Sequence, residues 1–312
     1  MARRLIIGAA QLGPIQRSDG RQLVVKRLID LLHKAYSRGC KLVVYPEMAL
    51  TTFFPRWYMT EQAEVDAFFE RQMPDAATRP LFEEAKRLGI GFYLGFAELA
   101  QDDGHARHYN TAILVGPDGE LIGKYRKIHL PGHSQHEPQR PFQHLEKRYY
   151  DVGNLGWPVW RAFGGIVGMC LCNDRRWPET YRVMGLQGVE LVMLGFNTPE
   201  LNAAIREPAH HRMMHHYLSV QSGAYQNGTW VVAVAKAGIE EGCMLMGGTC
   251  VVAPSGELVA VADTLDDELL AYEVDLDATK PIKETIFNFA KHRRPEHYKL
   301  IVERIGAIPP SE

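Results

Sequence analysis

The sequence predicts an α/β fold, a four-layer α-β-β-α sandwich with two sheets face to face and helices outside. Three observations lead there. Runs such as Leu42-Val-Val-Tyr45 and Leu191-Val-Met-Leu194 are apolar throughout, as expected of parallel strands covered on both faces. Strand-like and helix-like stretches alternate along the chain. The order strand, helix, strand, helix, strand, hairpin occurs twice, so residues 1–312 read as a single domain built from two similar halves.

In the first half, strand-like runs near 4–11, 41–46, 90–97, 111–115 and 121–127 alternate with helical patterns near 21–38 and 77–88. The first helix is signalled by Leu23, Val24, Leu28, Ile29, Leu32 and Tyr36 at three- and four-residue spacing, and Gly39 ends it. Gly116-Pro-Asp-Gly119 marks a hairpin. The second half offers a strand near 165–171, a helix near 178–187 and a strand at 189–195. A longer helix near 205–226, a strand at 229–235 and a hairpin over 248–262 follow. The two hairpins share a pattern: Ala112-Ile-Leu-Val-Gly-Pro-Asp-Gly-Glu-Leu-Ile122 is similar to Cys250-Val-Val-Ala-Pro-Ser-Gly-Glu-Leu-Val259. Ligands of such units bind beyond the carboxyl ends of the strands, and Glu47 and Cys172 both fall there.

Composition narrows the function classes. A formal net charge of −2 and the absence of a polybasic tract argue against nucleic acid and an anionic membrane surface as partners. No apolar run approaches the ~20 residues of a membrane span. Met1-Ala-Arg-Arg-Leu-Ile-Ile-Gly8 is too short in apolar residues for a signal peptide and reads as a first strand. Five cysteines, an odd number, fit a reduced cytoplasmic protein with free thiols.

Three residues carry the chemistry. Cys172 lies where Gly165-Ile-Val-Gly-Met-Cys-Leu-Cys172 breaks into Asn173-Asp-Arg-Arg-Trp-Pro178. A thiol at the end of a buried strand, just before two arginines, suits a nucleophile whose pKa neighbouring positive charge would lower. Glu47 ends the run Leu42-Val-Val-Tyr-Pro46. It either caps a loop in an ion pair or is a buried carboxylate of raised pKa, suited to take a proton. Lys127 closes Gly123-Lys-Tyr-Arg-Lys127, where alternation puts Tyr125 and Lys127 on one face and Lys124 and Arg126 on the other. That lysine either guards an edge strand or points into a cleft to stabilise a thiolate and an oxyanion.

Pro46-Glu47, Tyr125-Arg-Lys127-Ile-His-Leu130 and Cys172-Asn-Asp-Arg-Arg-Trp-Pro-Glu179 resemble the three signature segments of the nitrilase, or carbon–nitrogen hydrolase, superfamily. The resemblance covers nearly the whole chain. It implies an α-β-β-α sandwich, with Glu47 as general base, Lys127 as oxyanion stabiliser, Cys172 as nucleophile, and no cofactor. Within that superfamily, Thr51-Thr-Phe-Phe-Pro-Arg-Trp57, His129-Leu-Pro-Gly-His133, Arg140-Pro-Phe-Gln-His-Leu-Glu-Lys-Arg-Tyr149, Arg175-Arg176 and Asn197-Thr-Pro199 are similar to the N-carbamoyl-D-amino acid amidohydrolases. That likeness implies a small-molecule ureido acid as substrate, with Arg176, and Arg175 close behind, gripping its carboxylate as a bidentate fork. One of the two arginines could instead be tied to Asp174.

Further roles come with the same likeness. Glu146 would orient Lys127 or the attacking water, and His144 and His129 would line the pocket, unless that segment is only a self-satisfied polar turn. Asn173, Asn197 and Thr198 would offer neutral hydrogen bonds to substrate, or Asn197 and Thr198 simply cap the next segment. A homodimer or homotetramer is implied. The histidines include an i,i+4 pair, His211 and His215, but with no intervening His-Glu-x-x-His glutamate and no Cys-x-x-Cys, packing histidines are favoured over a metal site. The competing functions are another amidase, nitrilase or ureidohydrolase branch, a metal-dependent hydrolase, and a catalytically silent binding module.

Overall fold

A computed structural model describes residues 2–201 and 207–311. The first half contributes β1 (Arg4–Gln11), α1 (Arg21–Ser37), β2 (Leu42–Val44), α2 (Gln62–Asp66), α3 (Arg79–Leu88), β3 (Gly91–Asp102), β4 (His105–Val115) and β5 (Leu121–Arg126). A short helix, α4 (Glu146–Tyr149), leads to the second half. There β6 (Val159–Ala162), β7 (Gly165–Leu171), α5 (Pro178–Leu186), β8 (Leu191–Phe196), α6 (Ala209–Asn227) and β9 (Trp230–Ala235) follow. The ribbon β10 (Ala237–Glu240) and β11 (Cys243–Met246) precedes β12 (Cys250–Val252), β13 (Leu258–Val261) and β14 (Glu268–Asp275). Residues 205 and 206 of the long-helix expectation lie outside the described residues.

Two six-stranded sheets have matching orders, β14-β1-β2-β3-β4-β5 and β6-β7-β8-β9-β12-β13. In each, three consecutive parallel strands are followed by an antiparallel hairpin with a register shift, at Leu114/Val115 and at Val251/Val252. Each sheet also gains an antiparallel strand that patterning did not predict: β14 beside β1, and β6 beside β7. The β10–β11 ribbon has no counterpart in the first half and forms its own small sheet.

Alternation along the strands separates two cores. Leu42, Val44, Tyr93, Ala112, Leu114 and Tyr125 face the second sheet, while Val43, Tyr45, Phe92, Leu94 and Ile113 face α1 and α3. This explains strands with no polar face. The sheets are also joined by hydrogen bonds: Tyr93 donates its hydroxyl to the Cys170 carbonyl at 3.0 Å and accepts the Gly195 N–H at 3.1 Å. In α1 the buried stripe is Val24, Val25, Leu28, Leu31, Leu32 and Ala35; Leu23 and Tyr36, expected to belong to it, face solvent. They lie on the flanks of a stripe that the 100° step centres on Leu28 and Leu32. Among the described residues no helix is long and apolar enough to cross a membrane.

Candidate active site

Because β2, β5, β7 and β8 end on the same side of the stacked sheets, their terminal residues meet. Glu47 leaves β2 through Pro46, and its backbone runs between two glycines, one from each sheet. A Cβ on Gly195 of β8 would stand 2.4 Å from the Glu47 nitrogen, and one on Gly95 of β3 would stand 2.7 Å from its Cα. Neither position tolerates a side chain. The carboxylate is fully buried, so its lone pairs must be met by protein. Oε1 accepts from Lys127 Nζ at 2.8 Å and from Asn110 Nδ2 at 2.8 Å, while Oε2 accepts the Asn197 N–H at 3.0 Å.

Lys127 follows β5 and is itself fully buried, with Tyr125, on the inward face. Lys124 and Arg126 turn the other way and pair with Glu98, as the alternation predicted. Lys127 Nζ also donates to Glu146 Oε2 at 2.5 Å, and His144 Nε2 donates to Glu146 Oε1 at 3.1 Å. Burial opposes a charge on Lys127, but the Cys172 sulfur once ionised, and Glu146 and Glu47, overcome it and hold the ammonium well above the ordinary lysine value. Burial likewise works against the Glu146 carboxylate, and Lys127 and His144 nevertheless keep it below the ordinary range. An ammonium flanked by two carboxylates stays charged without bulk water.

Cys172 opens a 3-10 turn, Cys172–Arg176, with φ of 45°, a left-handed conformation unusual for a side chain larger than glycine's. Such strain persists only where surroundings fix it, and here they do. Asp174, fully buried, accepts from the Leu171 N–H at 3.1 Å, the Tyr125 hydroxyl at 2.7 Å, and both the backbone and ring N–H of His129 at 2.9 Å. Arg175 Nη1 donates to the Cys172 carbonyl at 2.6 Å. The thiol lies 3.5 Å from the Asn197 carbonyl and 3.8 Å from Arg175 Nη1. Contrary to the expectation from its cationic neighbours, the thiol is pushed up to about 11: burial and Glu47 outweigh Lys127 and Arg175. Cys172 therefore rests as a thiol and needs a base.

Beside the thiol opens a cavity of about 990 Å³. Cys172, Asn173, Arg175, Arg176, Asn197, Thr198 and His144 all line it, so most sequence-nominated groups converge there. Glu47, Lys127 and Glu146 form the buried layer beneath. His129 is the exception. Its ring stacks on Trp177 at 4.7 Å and lines a separate cavity of about 340 Å³ behind the nucleophile turn. Its two bonds to Asp174 make it a support of the turn instead of a pocket wall. Nor does Asp174 pair with either arginine. Arg175 is held by the Cys172 carbonyl, by Thr198 Oγ1 at 2.9 Å and by His216 Nδ1 at 3.1 Å, while Arg176 has no hydrogen-bond or ion-pair partner among the described residues. His215, one of the i,i+4 histidines, bonds Glu207 at 2.5 Å.

Sequence reasoning missed Asn110, Asp174 and His216 as site residues, and it missed the buried cluster Arg56–Glu240–Lys236. In that cluster Glu240 pairs with Arg56 at 2.5 Å and Lys236 at 2.7 Å and accepts the Phe53 N–H at 2.8 Å. It thereby fixes the Phe53–Arg56 wall of the cavity from β10. Asp174 and Asn110 stood in or near recognisable motifs, so their polarity was a usable signal; Glu240 offered none.

The carbon-nitrogen hydrolase family model matches residues 6–284. The chain belongs to that family. This carbon–nitrogen hydrolase is 27% identical over 290 residues to the N-carbamoylputrescine amidase of Solanum lycopersicum, covering 89% of each chain. It is 28% identical over 270 residues to a nitrilase of Pyrococcus abyssi, covering 86% of this chain and 90% of the relative. The crystal structure of a carbon-nitrogen hydrolase from Helicobacter pylori G27 superposes with a TM-score of 0.81 at 23% identity, covering 96% of this chain and 99% of that one. The α-β-β-α architecture is thus that of nitrilase-fold proteins, and the chain is an amidohydrolase of the nitrilase superfamily.

Proposed function

We propose that this amidohydrolase cleaves N-carbamoyl-D-amino acids to the D-amino acid, ammonia and carbon dioxide. The observation that carries the reading is Arg176, a guanidinium lining the nucleophile's cavity with no partner among the described residues. Arg56, Glu137, Arg140, Glu207 and Arg212, which also line that cavity, are each engaged by an opposite charge. Burial and the neighbouring Arg175 push Arg176 down to about 10, so it is charged at neutral pH and under-neutralised. A carboxylate on the substrate supplies the missing charge in bidentate geometry. A cationic polyamine would meet repulsion there. The D preference rests on the segments 51–57, 129–133, 140–149 and 197–199, which are similar to those of D-specific carbamoylases.

In this reaction Glu47 takes the thiol proton as Cys172 Sγ bonds to the ureido carbon. Lys127 and a backbone N–H after the nucleophile receive the oxyanion. The carbon–nitrogen bond to the terminal NH2 breaks, and Glu47 returns the proton so that ammonia departs. Water, deprotonated by Glu47 and oriented with Glu146, then attacks the carbamoyl thioester. The thiol is restored and an N-carboxy amino acid is released, which loses carbon dioxide. The working unit we propose is a homodimer or homotetramer, supported by exposed Val183, Leu186, Met214 and Leu218 on α5 and α6; a monomer by light scattering would reject it.

The test is ammonia release from N-carbamoyl-D- and L-amino acids, N-carbamoyl-β-alanine, N-carbamoylputrescine, a nitrile and a simple amide. The D-carbamoyl acids should show the highest kcat/KM. Faster turnover of N-carbamoylputrescine or the nitrile would overturn the reading.

A further inference from the structure

Arg175 holds the nucleophile's carbonyl, stands 3.8 Å from its sulfur, and is itself held by a residue that plays no part in the reaction above. His216 lies on α6, fully buried, with Nδ1 3.1 Å from Arg175 Nε and Nε2 2.9 Å from the Gly248 carbonyl. The chemistry of these partners settles its protonation. An arginine Nε–H only donates, so Nδ1 must present its lone pair; a carbonyl only accepts, so Nε2 must carry the proton. The ring is then neutral and in one tautomer. The titratable groups around it agree: Arg175 and Arg176 disfavour an imidazolium, the Cys250 sulfur at 3.8 Å from Nε2 is a thiol, and burial also holds His216 well below the ordinary histidine value. An imidazolium here would direct an N–H at the guanidinium.

The anchor is constrained as well. Gly248 has φ of 92°, and a Cβ there would stand 2.8 Å from Met213 Sδ and 3.3 Å from the His216 ring. Glycine at this position therefore lets the loop between β11 and β12 bring its carbonyl up to the imidazole. From Gly248 the chain of bonds runs through His216 to Arg175. It then reaches the Cys172 carbonyl at 2.6 Å and Thr198 at 2.9 Å, with the guanidinium carbon 4.4 Å from the centre of the Phe196 ring. His216 and Gly248 are buried behind this chain, while Arg175, Thr198 and Cys172 also face the cavity.

We infer that His216 is a positioning residue: as the neutral Nε2–H tautomer it aims the Arg175 guanidinium at Cys172, and so promotes thiolate formation and fixes the left-handed nucleophile turn. The inference requires Cys172 to be the reactive thiol but does not depend on which amide is cleaved.

Two isosteric half-replacements separate aiming from packing. His216→Asn places an acceptor near the Nδ1 position and loses the Gly248 bond; His216→Gln places a donor near Nε2 and loses the acceptor for Arg175. The readout is the alkylation rate of Cys172 by iodoacetamide at pH 8 without substrate. That rate follows the thiolate fraction when the thiol pKa lies far above the pH. His216→Gln should slow alkylation and kcat roughly tenfold, the scale of one charge-assisted hydrogen bond, with KM changing less. His216→Asn should recover most of the loss. Equal rates for both variants, or a Gln variant that alkylates like the parent, would overturn the assignment. Should neither variant fold, 15N shifts of histidine-labelled parent enzyme decide. A neutral Nε2-protonated ring from pH 5 to 8 is expected, and an imidazolium or the Nδ1–H tautomer in that range would refute it.

Discussion

The two halves of the molecule share a strand order but present opposite chemistry at matching strand ends. The first half supplies Glu47, Lys127 and Glu146, fully buried groups in which one ammonium is shared by two carboxyl groups. The second supplies Cys172 with Arg175 and Arg176, an uncharged thiol beside two cations at the wall of an open cavity. One half is a closed charged layer; in the proposed reaction it handles the proton, and the other, open half makes the bond and reads the anion. The proposed base and the proposed nucleophile lie on different sheets, so the proposed reaction needs both halves. The difference teaches that the packing between the sheets sets how far apart Glu47 and Cys172 stand, and with it the path of the proposed proton transfer.

The division can be broken most severely at the thiol. Cys172→Ala should lower turnover on the order of 10⁵-fold or more while circular dichroism and Tm stay near the parent values. Measurable residual turnover would remove the nucleophile from the second half. Glu47→Gln keeps shape but removes the base, and a loss of about 10³-fold in kcat is expected in both acylation and deacylation. A variant that still forms the acyl-enzyme rapidly would assign the first proton transfer elsewhere. Arg176→Gln should raise KM for carbamoyl acids by roughly 10- to 100-fold with kcat largely kept. An equal loss toward a neutral amide would show that Arg176 does not read the carboxylate.

Much of this was legible in the residues. Apolar runs located the parallel strands because both their faces are covered, and residue type at strand ends singled out Glu47, Lys127 and Cys172. The rest depended on contacts across the sandwich. Pairing of β14 with β1 joins Arg4 to Asp275, and nothing local to either strand announces it. Asp174 looked like a partner for the adjacent arginines, yet its carboxylate turns to Tyr125 and His129 across the interface. His129 followed its family segment into the expected pocket list, whereas the turn beneath Cys172 claims it. The pKa of Cys172 was misjudged for the same reason: sequence shows adjacent cations, but burial and a glutamate from the other sheet decide the outcome.

The smallest effects should come from the buried pair itself and from its glycine clamp. Glu146 titrates below the ordinary glutamate value of 4.5 in the folded protein, so its contribution to stability is present above that value and is lost as pH falls through the depressed one. Lys127 is raised above the ordinary lysine value of 10.5, so its contribution is complete below 10.5 and is lost only as pH climbs through the raised one. Tm should therefore be insensitive to this pair from about pH 5 to 10 and fall on acidification. Glu146→Gln should flatten part of that acid fall, and an unchanged acid limb would place the sensitive carboxylate elsewhere. Gly195→Ala should cost about 1–3 kcal/mol by chemical denaturation through overpacking against Glu47. A neutral result would mean that the two sheets slide more freely than their hydrogen bonds suggest.

That clamp also divides the protein for anyone who wishes to change what it accepts. Gly95 and Gly195 leave no room for even a methyl group where the Glu47 backbone passes between the two sheets. The catalytic layer is therefore a fixed tool. Phe53, Phe142, Leu201 and Met244 line the cavity. Phe142, Leu201 and Met244 are the places to re-cut substrate range first, because Phe53 packs edge-on against His144, the partner of Glu146.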